Sequence, residues 1–232
     1  MIDYLTIRNF YEEPYRVRNW ALQQEYITMD ESTNIYGVSS NFPGNRTKKN
    51  IGIQIEEVRS RIEKSIEPIH GKIIKWDNPF NGLFQYCTCT DRSWIHTDKP
   101  GTWAGVLFLT PNPPNNSGTG FYEHKETGLR RRLPLLEDTN NPMNHGDEQL
   151  SGLNKICMSD GADFTKWNLI DEISNEFNKL ILYRGDYWHS SQRYFGTTKY
   201  NSRLFQTFFF ATEDTDKSLS NYFTVPEKGW LQ

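Results

Sequence analysis

Sulfur is scarce in this chain of 232 residues, which has three cysteines, Cys87, Cys89 and Cys157. Their odd number and lack of zinc-ligand spacing argue against a metal-ribbon module or a disulfide framework. Cys87 and Cys89 alternate on one face of a predicted strand, so the expectation is buried free thiols in a reducing cytoplasm. An excess of positive charge is also missing. With 26 Lys and Arg against 29 Asp and Glu, the net charge is -3 and the pI about 6.0. The electrostatic footprint of a general nucleic-acid binder is therefore absent. No run approaches the ~18 apolar residues needed to span a bilayer, and the opening "MIDYLTIRNFYEEP" carries no apolar signal segment. The chain reads as a soluble, cytoplasmic protein with no membrane partner.

What is present is a series of short β-runs. After a first strand, "DYLTIRN", Pro14 and the acidic residues before it open a helix predicted over 13–24. Residues 27–50 are dense in Gly, Asn, Ser and Thr and read as loop. Ile55, Val58, Ile62 and Ile66 recur at helical spacing and predict an amphipathic helix running to Pro68. Beyond it come "KIIKW" (72–76), "LFQYCTC" (83–89), "SWIH" (93–96), "WAGVLFLT" (103–110), "GTGFYEH" (118–124), "KLILYR" (179–184), "YWHSS" (187–191) and "RLFQTFFFAT" (203–212). Many short strands between Gly and Pro turns predict a mainly β jelly roll with flanking helices. The expected layout is a single domain. A helical and loop region over 1–70 packs on a core over 71–212, and a polar tail follows over 213–232. Within that core, 125–165 is expected to be an irregular insertion that contacts substrate, followed by a helix in "KWNLIDEISNEFN" (166–178).

Histidine is also sparse, at five residues, so its placement carries weight. Two H-x-D pairs occur, His96-Thr97-Asp98 and His145-Gly146-Asp147. The second lies among Asn, Pro and Gly with no strand to hold it, whereas the first has a strand on each side. Residues two apart on a strand face the same way, so His96 and Asp98 can present an imidazole nitrogen and a carboxylate oxygen to one point. His189, on a short strand after a Gly-Asp turn, can add the third ligand. Two histidines and a carboxylate form the facial triad of non-haem Fe(II) oxygenases, which leaves open positions on the metal. Fourteen residues later, Arg203 opens the apolar strand 203–212. A guanidinium there wants a carboxylate partner, which a bound dicarboxylate would supply.

Taken together, "FQYCTCTDRSWIHTD", "GVLFLTP", "GTGFYEH", "KLILYRGDYWHSS" and "NSRLFQTFFF" resemble the Fe(II)/2-oxoglutarate-dependent dioxygenases over residues 80–212. "NFYEEPYRVRNWA" looks like the N-terminal helix of their prolyl-4-hydroxylase-like branch and its bacterial and phage relatives. The resemblance implies a double-stranded β-helix, a cupin-like jelly-roll core. It also implies Fe(II) on His96, Asp98 and His189, and Arg203 on the distal carboxylate of 2-oxoglutarate. Tyr86 matches a tyrosine that often donates to the same carboxylate. The expected reaction couples conversion of 2-oxoglutarate and dioxygen to succinate and carbon dioxide with hydroxylation of a small-molecule or peptidyl substrate. The sequence departs from some branches where a serine follows the arginine by two residues. Here that position is Phe205, and Thr207 is the nearest hydroxyl on the same face. Lys199 occupies a position where several prolyl hydroxylases place the anchoring cation.

Two other readings use the same residues differently. A cupin-like hydrolase or isomerase would need the triad but not Arg203, and a non-catalytic jelly-roll protein would need none of the four. The run Arg130, Arg131 and Arg132 reads as a solvated strand face, and Trp94, Trp103 and Trp188 as core.

Overall fold

The computed structural model describes residues 3–36, 42–48, 55–98, 101–133 and 145–215. Its organising strand is the longest. Strand β11 (Arg203–Thr212) is buried along almost its whole length, as expected of an apolar run with neighbours on both sides. It pairs antiparallel with β5 (Phe84–Cys87) on one side and β6 (Trp103–Phe108) on the other. Beyond β6 lie β9 (Leu180–Arg184) and then β1 (Tyr4–Ile7). Beyond β5 lie β3 (Asn45–Thr47) and β2 (Tyr26–Ile27), and β4 (Ile73–Lys75) pairs with the end of β11. A second sheet has the order β10 (His189–Ser191), β7 (Thr119–His124) and β8 (Trp167–Ile173). The fold is a jelly roll, mainly β with flanking helices.

The period of two along β11 sorts its side chains. Leu204, Phe208 and Phe210 join Phe84, Leu107 and Leu182 in a core outside the larger sheet. Helix α3 (Ile55–His70) covers that face with Val58, Ile62 and Ile66, and α1 (Pro14–Gln23) adds Ala21. Gln206 is fully buried on this face and stays satisfied, accepting from Tyr11 Oη and donating to the Gly82 carbonyl. The opposite face of β11, with Phe205, turns toward the smaller sheet and meets Phe108, Phe121 and Tyr187. A third cluster, Ile95, Tyr122, Cys157, Trp167 and Trp188, ties α4 (His145–Ser159) to the smaller sheet.

Five expectations need correction. Segment 166–178 is not a helix. A 3-10 turn at Phe164–Lys166 leads into β8, which pairs with β7 through a register shift at Phe121/Tyr122. Trp167 and Ile173 are the buried residues of that strand, and the ladder offered by β7 outweighs a weak helical pattern. Within the supposed loop 27–50, α2 (Met29–Tyr36) and β3 form, and β3 extends the larger sheet. The insertion 125–165 is partly helical through α4. Helix α3 also carries Pro68 inside its last turns instead of stopping before it. Of the thiols, Cys87 and Cys157 are buried but Cys89 is exposed. Most of the tail 213–232 lies outside the described residues.

Candidate metal centre

His189 opens β10 at the edge of the smaller sheet, whereas the strand expected over 93–96 does not form and leaves only a bridge at His96, yet the two histidines face one another. Their backbones form an isolated antiparallel bridge, with His96 N–H donating to the His189 carbonyl at 3.0 Å and His189 N–H to the His96 carbonyl at 2.9 Å. The rings stand 4.5 Å apart between centroids. Asp98 is fixed by its own N–H to the Gly185 carbonyl at 2.7 Å. A side chain at Gly185 would place its Cβ 3.0 Å from Asp98 Cβ and from Thr102 Oγ1, so a larger residue in the turn before β10 would press on the carboxylate ligand. One ligand-capable atom each from His96, Asp98 and His189 lies within 4.8 Å of the others.

Both imidazoles are oriented for coordination. His96 Nδ1 lies 3.0 Å from the Trp94 carbonyl, and His189 Nδ1 lies 2.8 Å from the Tyr187 carbonyl. A carbonyl can only accept, so each Nδ1 carries the proton and each Nε2 offers a lone pair. His189 Nε2 stands 3.4 Å from Asp98 Oδ2. Burial, followed by the neighbouring His96, pushes the His189 pKa down to about 4, against the opposing pull of Asp98 and the Tyr187 carbonyl. His189 is therefore neutral at physiological pH, the state a metal ligand requires. Among the described residues, these three fit a divalent cation by donor type, tautomer and convergence.

The triad opens into a cavity of about 680 Å³ between the sheets. Arg203, Phe205 and Thr207 line it from β11, Val106 from β6, Tyr183 from β9 and Gln85 from β5. Arg203 is 1% exposed. Its Nε donates to the Ser117 carbonyl at 3.0 Å and Nη2 to the Gly118 carbonyl at 3.4 Å, and the rings of Phe205 and Phe108 lie 4.6 and 5.3 Å from its guanidinium carbon. Among the described residues no carboxylate pairs with it. Burial lowers its pKa, and the nearby Tyr194, Cys87 and Tyr183 oppose that shift. A buried cation without an anion is costly, so the cavity is suited to an acidic ligand.

Thr207 sits in this wall with its hydroxyl 3.4 Å from the Phe80 carbonyl. Tyr86 does not. It stands opposite Leu204 in the β5/β11 register and packs edge-on against Tyr26 at 4.9 Å, on the other face of the sheet. The residue before it, Gln85, takes the inward position. Lys199 also lies away from the cavity lining, near the rings of Tyr200 and Tyr26 at 5.5 and 5.9 Å. Trp94 lines the cavity, while Trp103 and Trp188 are core. Arg130 pairs with Glu123, and Arg131 lies over Tyr187 beside Asp186. His145 and Asp147 open α4, and their side chains lie outside the described residues.

Sequence reasoning missed Tyr183 and Tyr194. Tyr183 is edge-on to His189 at 4.8 Å, and Tyr194 lies 5.9 Å from Arg203. Both line the cavity, and burial raises the pKa of each, so both remain phenols. The alternation of β9 marks Tyr183 as inward. No periodic signal marks Tyr194, which lies beyond β10.

HygX from Streptomyces hygroscopicus, solved with nickel and 2-oxoglutarate bound, superposes with a TM-score of 0.54 at 9% identity, over 91% of this chain and 84% of that one. SnoK, a non-heme alpha-ketoglutarate-dependent carbocyclase from nogalamycin biosynthesis, gives 0.51 at 11% identity, over 94% and 86%. The chain has the fold of the 2-oxoglutarate-dependent oxygenases. The epimerase SnoN of the same biosynthesis shares this oxygenase fold, with a TM-score of 0.50 at 12% identity over 98% of this chain and 84% of that one. By sequence, residues 84–195 match a family described as of unknown function, DUF6445. That segment spans the oxygenase-fold region from β5 through His96, Asp98 and His189 but stops before Arg203. No curated protein matches.

Proposed function

We propose that the chain is a non-haem Fe(II)- and 2-oxoglutarate-dependent oxygenase that hydroxylates a small-molecule or peptidyl substrate. The observation that carries this reading is one cavity holding both a converging His96, Asp98 and His189 and a buried Arg203 that has no carboxylate partner among the described residues. The three ligands would hold Fe(II) and leave positions open for exchangeable ligands. When bound, iron with 2-oxoglutarate and dioxygen supplies the oxidation of a C–H bond, coupled to formation of succinate and carbon dioxide. The chain's own part is placement. The Trp94 and Tyr187 carbonyls fix the imidazole tautomers, Arg203 receives the distal carboxylate with Thr207 beside it, and Phe205 and Phe108 keep water from the guanidinium. A hydrolase or isomerase on this scaffold would leave Arg203 without a task.

Anaerobic titration with Fe(II) and 2-oxoglutarate tests the proposal. The visible charge-transfer band of the chelate should develop in the parent protein and be absent from His96→Ala and His189→Ala. Succinate release above the His189→Ala background should follow on admission of air. Parent protein that binds iron but gives neither band nor succinate would favour the hydrolase or isomerase reading.

A further inference from the structure

Segment 93–98 supplies two of the three metal ligands without being a strand, so what holds its backbone matters to the site. His96 bonds to His189, and Asp98 N–H donates to the Gly185 carbonyl, both contacts lying within the site itself. A further contact reaches outside it. Ile95, 1% exposed, donates its N–H at 2.8 Å to the carbonyl of Gly161, in the turn that follows α4. Where that carbonyl stands therefore bears on where His96 stands.

A buried pair that the oxygenase reading does not use fixes this turn. His124 closes β7 and is fully buried. Thr127 N–H approaches its Nδ1 at 3.3 Å, and a backbone N–H can only donate, so the imidazole proton stands on Nε2. Nε2 then donates to Asp160 Oδ2 at 3.1 Å. Thr127 Oγ1, 3.0 Å from Nδ1 and 3.4 Å from Cys157 Sγ, joins the ring to the last turns of α4. The backbone of Asp160 is held as well. Its carbonyl accepts from Trp167 Nε1 at 3.0 Å, and the Trp167 ring stands edge-on to the imidazole at 4.7 Å. Lys166 Nζ also reaches the carboxylate, at 3.4 Å, but it is half exposed and adds little. Gly161 follows directly, and a Cβ there would stand 2.4 Å from the Ile95 carbonyl oxygen, so the two backbones are too closely packed for one to shift alone. Contacts thus run without a gap from the end of β7 through Asp160, Gly161 and Ile95 to His96.

We infer that His124 and Asp160 are positioning residues for the metal ligand His96, with the turn at Gly161 as the link. The role of His96 rests on the metal reading of the triad, but the link itself can be measured on metal-free protein. In Asp160→Ala and His124→Ala, each confirmed as folded by a cooperative thermal transition, NMR should show amide exchange at Ile95 at least about tenfold faster relative to the amides of β6. Cobalt(II) titration, followed by ligand-field absorption, should show affinity weakened about tenfold. Asp160→Asn keeps an oxygen that accepts from Nε2, and His124→Gln keeps a side-chain donor, so each should recover most of both losses. A general loss of stability would give no such rescue. Ile62→Ala, in the core under α3 on the outer face of the larger sheet, is the control, and it should lower the melting temperature while leaving cobalt affinity unchanged. Unchanged Ile95 exchange and cobalt affinity in the folded alanine variants would overturn the inference. So would Asn and Gln variants that recover nothing, or an equal loss of affinity in Ile62→Ala. Should the alanine variants not fold, Asp160→Ser, too short to reach Nε2, takes their place against Asp160→Asn. Parent protein that takes up no cobalt would overturn the metal reading, a result distinct from an unchanged Ile95 exchange rate, which overturns the link.

Discussion

Replacing Arg203 by methionine separates a ligand-binding arginine from a structural one, because the two roles predict different stabilities as well as different affinities. A buried arginine in a structural ion pair costs about 3–5 kcal/mol when the pair is broken. Arg203 has no carboxylate partner among the described residues, and burial works against its charge. The desolvation cost, several kcal/mol, is offset by the bond to the Ser117 carbonyl at 3.0 Å, a longer one to Gly118 at 3.4 Å and the flanking phenyl rings. Charge-assisted bonds contribute about 1.5–3 kcal/mol and each ring contact about 0.5–2. These terms nearly cancel, so Arg203→Met should change the unfolding free energy of cosubstrate-free protein by no more than about 2 kcal/mol, a Tm shift of roughly 4–8 °C in either direction. Its response to 2-oxoglutarate should differ far more. With nickel in the triad and cosubstrate at 100 times its Kd, the parent should gain about 2.7 kcal/mol. The variant should bind ten- to over a hundredfold more weakly and lose between about half and nearly all of that gain while still binding nickel. Thermal melts with and without 2-oxoglutarate, beside isothermal titration, read both quantities. A fall of 4 kcal/mol or more without cosubstrate, or an undiminished 2-oxoglutarate response, would refute the assignment.

Lys199→Ala and Tyr86→Phe should each leave 2-oxoglutarate affinity within about twofold of the parent by the same titration, since neither residue lines the cavity. Gly161→Ala should weaken iron binding about tenfold, because its Cβ would stand 2.4 Å from the Ile95 carbonyl oxygen and push the backbone that carries His96; unchanged affinity would show that this contact does not support the ligand. Asp214 governs an acid-sensitive contact remote from the cavity. Burial acts upward on its carboxyl, but hydrogen bonds from Arg184, Thr212 and His70 outweigh that and hold it at about 2, below the ordinary 3.8. A depressed carboxyl stabilises the fold above its unfolded pKa and loses that contribution as pH falls toward 2. Asp214→Asn should therefore cost about 1 kcal/mol at pH 7 after solvent screening, and its urea midpoint should converge on the parent's between pH 4 and 2.

The legible part of this molecule is the part governed by short-range pattern. Strands β5, β6, β7, β9, β10 and β11 follow apolar runs bounded by turn residues, and His96, Asp98, His189 and Arg203 could be picked out by their chain order, although His96 and Asp98 are held by a bridge and a turn contact and not by the strand expected there. Errors arise where partner strands decide. Segment 166–178 offers Ile170, Ile173 and Phe177 at near-helical spacing, yet an open edge of β7 captures it as β8. Arg46 sits in a polar stretch with no apolar period, and only pairing with β5 turns its side chain inward. Tyr86 shows the same dependence in reverse. Shifting one residue along β5 exchanges the two faces of the sheet, so a tyrosine matched by neighbourhood alone falls on the outer side while Gln85 takes the inner one. Once Arg203 is known to face the cavity, its partner Cys87 must as well, Gln85 follows by the period of two, and Arg46 follows from Gln85. This stretch of the cavity wall is therefore fixed by register from the residue proposed to read the cosubstrate. A single slip of β5 would turn Gln85 out of the cavity and break the row that carries Arg46 inward.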